Sequence, residues 1–292
     1  MHLIKMPKKI CSTYDGYSNL INNFNKYTQD EFKNSTICID FSDNNWFDSN
    51  LLPIIYGYVE YGVKFLNISS QYKRSASNKL HELMIRNGFA SQCFNMTNEP
   101  HKKETVIPFK IFNATETRNF AVYIEQEIVK YFPKMDDDVQ KDLSNYIQEL
   151  FGNAQIHTDC TRVYTCGQYY PKKQKMDFTI VNLGRTIRDN VKKYFNNNKN
   201  KIPMSTVQWA VEPGNTTKLA SSGGLGLTLM RDFIHFNCGK YQIISGYEFW
   251  ELNAQRVITK EFIKPFPGTI VNIEISQNDK KFYHYEQVDN IF

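Results

Sequence analysis

The last third of the chain carries strand signals joined by short connections, and this pattern restricts the fold more than any other feature. The signals lie at residues 240–245, 248–252, 256–262 and 269–275. Antiparallel neighbours need only a hairpin between them, whereas parallel neighbours need a crossover of about a dozen residues or more. The pattern therefore predicts an antiparallel meander rather than a doubly wound parallel sheet.

The N-terminal third shows a different pattern, in which strand and helix signals alternate. The predicted elements are a strand at 36–41, a helix at 51–61, a strand at 63–68 and a helix at 75–87. Each helix is expected to end at a glycine, Gly62 and Gly88, because glycine takes a left-handed cap at little cost. This alternation predicts a small α/β domain over residues 1–105.

Helical periodicity dominates the middle of the chain. One helix is predicted over residues 116–131, and a second begins in an acidic turn at Asp136, where negative charge complements the helix dipole. The apolar residues of the second helix recur at three- and four-residue steps, and Glu149, Asn153 and His157 align beside that stripe. The helix is thus expected to pack with one face and to offer a polar edge.

Strand signals and one long polar segment complete a second predicted domain over residues 106–292. The strands lie at 106–112, 162–168 and 176–182, and the polar segment covers residues 188–222. A loop of that length in a compact domain is usually a lid over a site, or it is disordered. We therefore expect the second domain to contain a lid.

Composition narrows the class of protein. The 292 residues suffice for two domains, and the hydrophobic fraction of 41% is that of a folded protein. Its six cysteines form no Cys-x-x-Cys pair, which favours neither zinc nor disulfides. The net charge of +5 is mild and its basic clusters lack interleaved aromatics, so nucleic acid is not the expected ligand. Without a membrane-length apolar run or a secretory signal, a cytoplasmic location is expected.

Glu149 and Asn153 are the first candidate site residues, because a spacing of four residues places them on the same side of a helix. An amide oxygen can ligate magnesium, which usually takes one or two protein oxygens and leaves its other positions to phosphates and water. A carboxylate one turn away can hold the water that attacks a terminal phosphate. A helix with a polar outer face is the alternative explanation.

A glycine cluster, Gly223-Gly224-Leu225-Gly226-Leu227, opens a predicted helix downstream. Glycines let backbone amides approach phosphate oxygens, and a helix N-terminus favours negative charge. The cluster matches neither a P-loop nor a dinucleotide fingerprint. An ordinary turn would use the same residues.

Taken in order, these motifs resemble the GHKL ATP-binding fold of gyrase, mismatch-repair and chaperone ATPases, histidine kinases and anti-sigma-factor serine kinases. Glu-x-x-x-Asn-Ala-x-x-His precedes a strand that ends in a glycine turn, then a lid, then Gly-Gly-Leu-Gly-Leu and Pro-Gly-Thr. The resemblance implies a two-layer α/β sandwich with a mixed, largely antiparallel sheet, in which Glu149 is the general base and Asn153 the magnesium ligand. It also places these residues at the nucleotide: His157, Asn182, Gly184, Thr186, Lys218, Gly223, Gly224, Leu225, Gly226, Leu227 and Thr269.

The adenine-contacting motif of this family departs from its usual form. Asn182 stands where the family has aspartate, and Thr186 stands where it has the second glycine. An asparagine oxygen still accepts from an adenine amino group, but the negative charge is lost and Thr186 crowds the turn. Weaker affinity or an altered base preference is the expectation.

The N-terminal α/β domain resembles a STAS domain, the fold of anti-sigma-factor antagonists. The strand at 36–41 leads to Asp48-Ser49-Asn50-Leu51, similar to the family's Asp-Ser-Ser-Gly-Leu at a helix start. In the antagonists a serine of that turn accepts phosphate from a GHKL kinase. Here Ser49 is either such an acceptor or an ordinary helix cap.

The two resemblances together imply a regulator that binds Mg-ATP, hydrolyses it slowly and reports its nucleotide state to a protein partner or within a homodimer. A protein serine kinase of the anti-sigma-factor type is a second reading, in which a hydroxyl replaces water. A non-hydrolysing ATP sensor is a third, in a bacterial defence or toxin–antitoxin-like system.

Overall fold

The computed structural model describes residues 1–74, 78–96, 104–197, 201–217, 226–277 and 282–284. Within these residues the chain is a mixed α/β protein, as the sequence predicts. None of the helices in these ranges is long and apolar enough to span a membrane.

The N-terminal part combines short parallel strands with helices. Its elements are β1 (His2–Lys5), β2 (Lys9–Ile10), α1 (Tyr14–Asn25), β3 (Thr36–Asp40), β4 (Trp46–Phe47), α2 (Leu52–Leu66), β5 (Ser69–Lys73), α3 (Asn78–Arg86) and α4 (Phe89–Phe94). One parallel sheet has the order β1-β3-β5, and β2 pairs with β4 in a second parallel pair.

The remainder of the chain is built on longer strands. Its elements are β6 (Val106–Asn113), α5 (Thr117–Tyr123), α6 (Asp137–His157), β7 (Arg162–Tyr170), β8 (Lys175–Leu183), α7 (Ile187–Asn197), α8 (Thr206–Val211), α9 (Gly226–Asn237), β9 (Lys240–Asn253) and β10 (Arg256–Ser276). A π-helical turn at Ile124–Ile128 and a 3-10 turn at Val129–Tyr131 continue α5. The five strands form one antiparallel sheet in the order β6-β7-β8-β10-β9.

Both faces of this five-stranded sheet are covered. Helices α6 and α9 pack on one face, where Phe178, Ile243 and Ile273 belong to their core. Helices α1 and α2 of the N-terminal part pack on the other face, and Val181 and Ile270 join their core. The two predicted domains therefore share one sheet between them.

A buried polar network joins the N-terminal part to the sheet. The side-chain amide nitrogen of Asn50 lies within hydrogen-bond distance of Ser12 Oγ (2.9 Å), Thr179 Oγ1 (3.1 Å) and Asn272 Oδ1 (2.8 Å), which share its two N–H donors. Gln242 extends the network by accepting from Asn272 Nδ2 at 3.0 Å and from the Tyr17 hydroxyl at 2.9 Å. Because buried polar groups need partners, this network fixes how the N-terminal part sits on the sheet.

The predicted end of α2 is wrong. The helix continues through Gly62 to Leu66, and the strand predicted at 63–68 lies instead at Ser69–Lys73. A Cβ at Gly62 would make only an ordinary van der Waals contact with the Ile68 side chain, at 3.4 Å, and the Gly62 carbonyl accepts from the backbone N–H of Ile68 at 3.0 Å. Asn67 ends the helix in the left-handed conformation, with φ of 51°.

The structure differs from two further predictions. The four strand signals after residue 240 belong to only two long strands, β9 and β10, whose pairing is interrupted by register shifts around Phe266. The polar segment predicted as one lid loop contains helices α7 and α8. The other predicted strands and helices lie within a few residues of their expected positions.

Replacing Asn50 with alanine is expected to lower the free energy of unfolding by about 2–3 kcal/mol, since buried hydroxyl and amide groups lose their partner. Urea unfolding measures the change. Asn196→Ala, an exposed position in α7, should stay within about 0.5 kcal/mol of the native chain. An Asn50 variant as stable as this control would show that the network does not hold the two parts together.

Candidate functional site

A cavity of about 790 Å³, partly open to solvent, lies between α6, the sheet and helices α7 and α8. We call it the central cavity. This figure includes space that is open to solvent. Its walls include Asn153 and His157 of α6, Asn182 of β8, Leu227 of α9 and Thr269 of β10. Five residues predicted at the nucleotide thus line one cavity.

The sheet supplies the floor of the central cavity. Asn182 and Thr269 are direct partners in the β8–β10 register, so their side chains lie on the same face, next to the Ile180–Val271 pair. Asn182 is only 5% exposed, and within the described residues its Nδ2 has no hydrogen-bond partner. A buried amide without a partner costs about 1–3 kcal/mol, which a polar ligand can recover.

Thr269 is tied to the start of α7. Its hydroxyl lies 2.8 Å from Ser245 Oγ, and that oxygen accepts from the backbone N–H of Ile187 at 2.8 Å. These bonds hold α7 against the rim of the central cavity. Because the Thr269 hydroxyl is engaged, Asn182 is the member of the Asn182–Thr269 pair whose side chain can bond a polar group of a ligand.

Helix α6 forms the opposite wall with its polar edge. Asn153 and His157 line the central cavity, and Leu150 and Ala154 from the apolar stripe line it as well. The carbonyl of His157 accepts from Asn190 Nδ2 at 2.8 Å, which connects the end of α6 to α7. Glu149 lies one turn before Asn153 and is half-buried.

Gly226 packs directly against Glu149. A Cβ at Gly226 would lie 2.8 Å from both Cβ and Oε2 of Glu149. This contact brings the first residue of α9 to the carboxylate on α6, so the positive end of the 12-residue helix lies beside the predicted general base. The glycine is needed here because any side chain would displace the carboxylate.

Gly184 and Thr186 stand beside the cavity rather than in its lining. Gly184 has φ of 137°, and a Cβ there would lie 2.1 Å from the Thr158 carbonyl oxygen, so it permits a close backbone approach. Thr186 caps α7, since its Oγ1 accepts from the Asp189 N–H at 3.1 Å while its own N–H donates to Asp189 Oδ2 at 2.9 Å.

Helices α7 and α8 with residues 212–217, which we call the cover, contribute lining residues that the sequence analysis did not identify. They are Ile187, Asn190, Val191, Trp209, Ala210, Asn215, Thr216 and Thr217. The reciprocal Thr186–Asp189 cap and the Ser205 cap before α8 were readable in the sequence. The segment is largely polar, and this composition obscures the helical spacing of its few apolar residues.

Buried Glu248 anchors the cover to β9. Its carboxylate accepts from the backbone N–H groups of Thr206 at 2.9 Å and Val207 at 3.1 Å, and from the Ser205 hydroxyl at 3.0 Å. Arg188 at the start of α7 lies 3.9 Å away. This carboxylate therefore holds the N-terminal end of α8, and it contacts α7 only through the Arg188 side chain, whose Nη1 lies closer to Glu261 Oε1, at 3.6 Å.

Some predicted site residues lie outside the described residues, namely Lys218, Gly223, Gly224 and Leu225. Ser49 is described and is 1% exposed. Its hydroxyl donates to Gln168 Oε1 at 3.1 Å, on the sheet face opposite the central cavity. In this arrangement the hydroxyl is enclosed between the N-terminal part and the sheet.

No cluster of three or more His, Cys, Asp or Glu side chains that could hold a metal occurs in the described ranges. No family model matches the chain, and no curated protein is significantly similar to it.

Adding a methyl group at Gly226 is expected to cost about 1–3 kcal/mol, because the side chain would overlap Glu149. Gly152 on α6 is the matched control: a Cβ there meets nothing within 4 Å, so Gly152→Ala should stabilise by about 0.5–1 kcal/mol through helix propensity. Thermal unfolding of both variants measures these opposite shifts. Equal shifts would contradict the close contact between α9 and α6.

Proposed function

We propose that this protein binds Mg-ATP in the central cavity and hydrolyses it slowly. The observation that carries the proposal is that Asn153, Asn182 and Thr269, which come from separate sequence motifs, line one cavity. The orphaned amide of Asn182 supports a ligand with polar ring atoms at the floor. In this proposal the five-stranded half is a GHKL-type domain and the N-terminal part is STAS-like.

The chemistry of the lining supports a division of the central cavity into two ends. At the floor, Ile180 and Val271 offer apolar surface to a base, and Asn182 offers a hydrogen-bonding group at its edge. Towards α9, Asn153 presents an amide oxygen and the helix N-terminus presents positive potential, which suits phosphates. The base and phosphates of one nucleotide would contact these two ends.

Two side chains of α6 would carry the catalytic step. Asn153 would ligate magnesium, which when bound neutralises phosphate charge. Glu149 would orient a water molecule and accept its proton as the water oxygen bonds to the terminal phosphorus, while the bond from that phosphorus to the bridging oxygen breaks and ADP leaves. Gly226 leaves room for that carboxylate against α9.

The cover would couple nucleotide state to a protein partner. It closes one side of the central cavity, with Trp209 and Asn215 in the lining, and its other surface faces away from the nucleotide. A ligand that contacts one arrangement of the cover better than another shifts the population towards it. Such a shift would present a changed surface to the partner.

A non-hydrolysing sensor is the second candidate function, and Asn182 is the observation that favours it. An amide in place of a carboxylate gives a neutral floor that holds the base less firmly. If the base is held less firmly, we expect the rate of turnover to fall more than the binding affinity does. Turnover measurements decide between the two candidates.

Asn153→Ala is expected to remove the magnesium-dependent part of ATP binding, weakening affinity by at least about tenfold, or about 1.4 kcal/mol. Fluorescence of Trp209, which lines the central cavity, measures binding with magnesium and with EDTA. Asn145→Ala, exposed on the same helix, is the matched control. No saturable ATP binding by the native chain would overturn the proposal.

Glu149→Gln is expected to bind Mg-ATP as the native chain does but to lower phosphate release by about 100-fold or more, since a general base contributes at least that factor. Release of label from γ-labelled ATP is the measurement. Label that appears on protein would instead support the kinase reading. Binding without release by the native chain would support the sensor.

A further inference from the structure

A second cavity lies on the opposite face of the sheet, where the N-terminal part meets the ends of β7, β8 and β9. It contains about 740 Å³ of space that is partly open to solvent. Four lysines line it: Lys9, Lys173, Lys175 and Lys240. We call it the lysine cavity.

The four lysines come from four separate parts of the chain. Lys9 belongs to β2 and Lys173 to the 3-10 turn Pro171–Lys173, and both are exposed at the rim. Lys175 of β8 and Lys240 of β9 lie deeper, with side chains 20% and 13% exposed. Bringing four like charges to one cavity costs electrostatic energy, which an anionic ligand would offset.

The acidic neighbours compensate only the deeper lysines. Glu274 forms ion pairs with Lys175 and with Lys240, the latter at 3.3 Å. Within the described part of the chain, no ion pair involves Lys9 or Lys173. The rim charges are therefore available to a ligand.

Asp48 also lines the lysine cavity, but its oxygens are already engaged. Oδ2 accepts from the backbone N–H of Ser12 at 2.8 Å, and Oδ1 accepts from Trp46 Nε1 at 2.9 Å. These donors come from the N-terminal part itself. Asp48 keeps its negative charge, but the four lysines of the lining outnumber its two carboxyl groups, Asp48 and Asp177.

Asp177 is the feature of the lysine cavity that the fold alone does not explain. It is 1% exposed, and among the described residues its Oδ1 has no hydrogen-bond partner, while Oδ2 lies 3.3 Å from Lys175 Nζ. Asp177 is the direct cross-strand partner of Glu274. Burial, and then the charge of Glu274, raise the pKa of Asp177 to about 7. Near neutral pH this carboxyl can therefore be uncharged, with its proton hydrogen-bonded to the Glu274 carboxylate.

Helix α1 adds positive potential at the same place. It has 12 residues, and its cap, Thr13, lines the lysine cavity together with Ser12. Asp15 in the first turn offsets part of this potential. The N-terminus of α1, the lysines and the unpartnered oxygen of Asp177 converge independently on one cavity.

We propose that the lysine cavity binds a small dianion of the phosphate-monoester class, with Lys9 and Lys173 holding its charge and the buried Asp177 carboxyl lying beside it. This site is separate from the central cavity, because Asp177 and Asn182 lie on opposite faces of β8. Free phosphate and a phosphorylated metabolite share this chemistry.

The test uses the full chain with inorganic phosphate, glycerol 2-phosphate and sulfate as probes, and binding is measured by calorimetry. The double variant Lys9→Gln/Lys173→Gln is expected to weaken binding by at least about tenfold. Lys33→Gln/Lys141→Gln removes two exposed lysines elsewhere and is the matched control. The lysine cavity and the central cavity share no lining residue, so weaker binding in the lysine double variant is independent of the proposed nucleotide site.

The probes distinguish the two sources of the ligand. Tighter binding of glycerol 2-phosphate would indicate a phosphorylated metabolite, and equal or tighter binding of inorganic phosphate would indicate free phosphate. No saturable binding of any probe, or equal weakening in the control double variant, would overturn the proposal.

Asp177→Asn provides a second readout through pH, with sulfate as a probe that keeps both charges between pH 6 and pH 8. Native binding should weaken as pH rises through about 7, because Asp177 ionises and adds a negative charge beside the probe. The groups that act electrostatically with Asp177 are Lys175, Lys240, Glu274, Tyr17 and Tyr170. The Asn variant should lose this pH dependence, and an unchanged profile would contradict the role of Asp177.

Discussion

The antiparallel pairing of β8 with β10 is the constraint on which the rest of the structure depends. The register joins Lys175–Leu183 to Gly268–Ser276 without interruption. Because side chains alternate between the two faces of a strand, this one register decides which residues face α6 and which face the N-terminal part. A slip of one residue would exchange the two sets and remove both cores.

Each cross-strand pair of that register has a distinct role. Asn182 with Thr269 forms the floor of the central cavity, and Thr179 with Asn272 receives the amide of Asn50 on the other face. The Asp177–Glu274 pair, two positions further along that same face, is costly because it opposes two carboxyl groups, and the neighbouring lysines offset that cost. The buried polar groups of this sheet are thus concentrated where another part of the chain, or a cavity, meets it.

The sequence predicted what hydrophobic periodicity and short connections control, including α6, β6, β7, β8 and the antiparallel character of the sheet. It failed at Gly62, which continues α2 rather than ending it, because the left-handed residue that ends the helix is Asn67. Of the candidate site, the α6 and sheet residues were predictable because their spacing reflects one face of an element. The contributions of Trp209 and Asn190 could not be predicted, because they depend on how the cover packs against the sheet.

The attachment of the cover determines how a ligand in the central cavity could alter the surface. Glu248 is 4% exposed, and it accepts hydrogen bonds from two backbone N–H groups at the start of α8. Lifting α8 would leave a buried carboxylate without these partners, at a cost well above that of moving an exposed loop. The start of α7 is likewise fixed, by the bond from Ile187 to Ser245. Residues 212–217, which follow α8, are held by the Arg231–Glu212 ion pair at 3.2 Å and by the bond from Asn215 Nδ2 to the Trp209 carbonyl at 2.9 Å. Breaking a partly exposed ion pair costs less than leaving buried Glu248 without partners. Because Thr216 and Thr217 line the cavity, we expect a ligand to shift this segment before it moves α7 or α8.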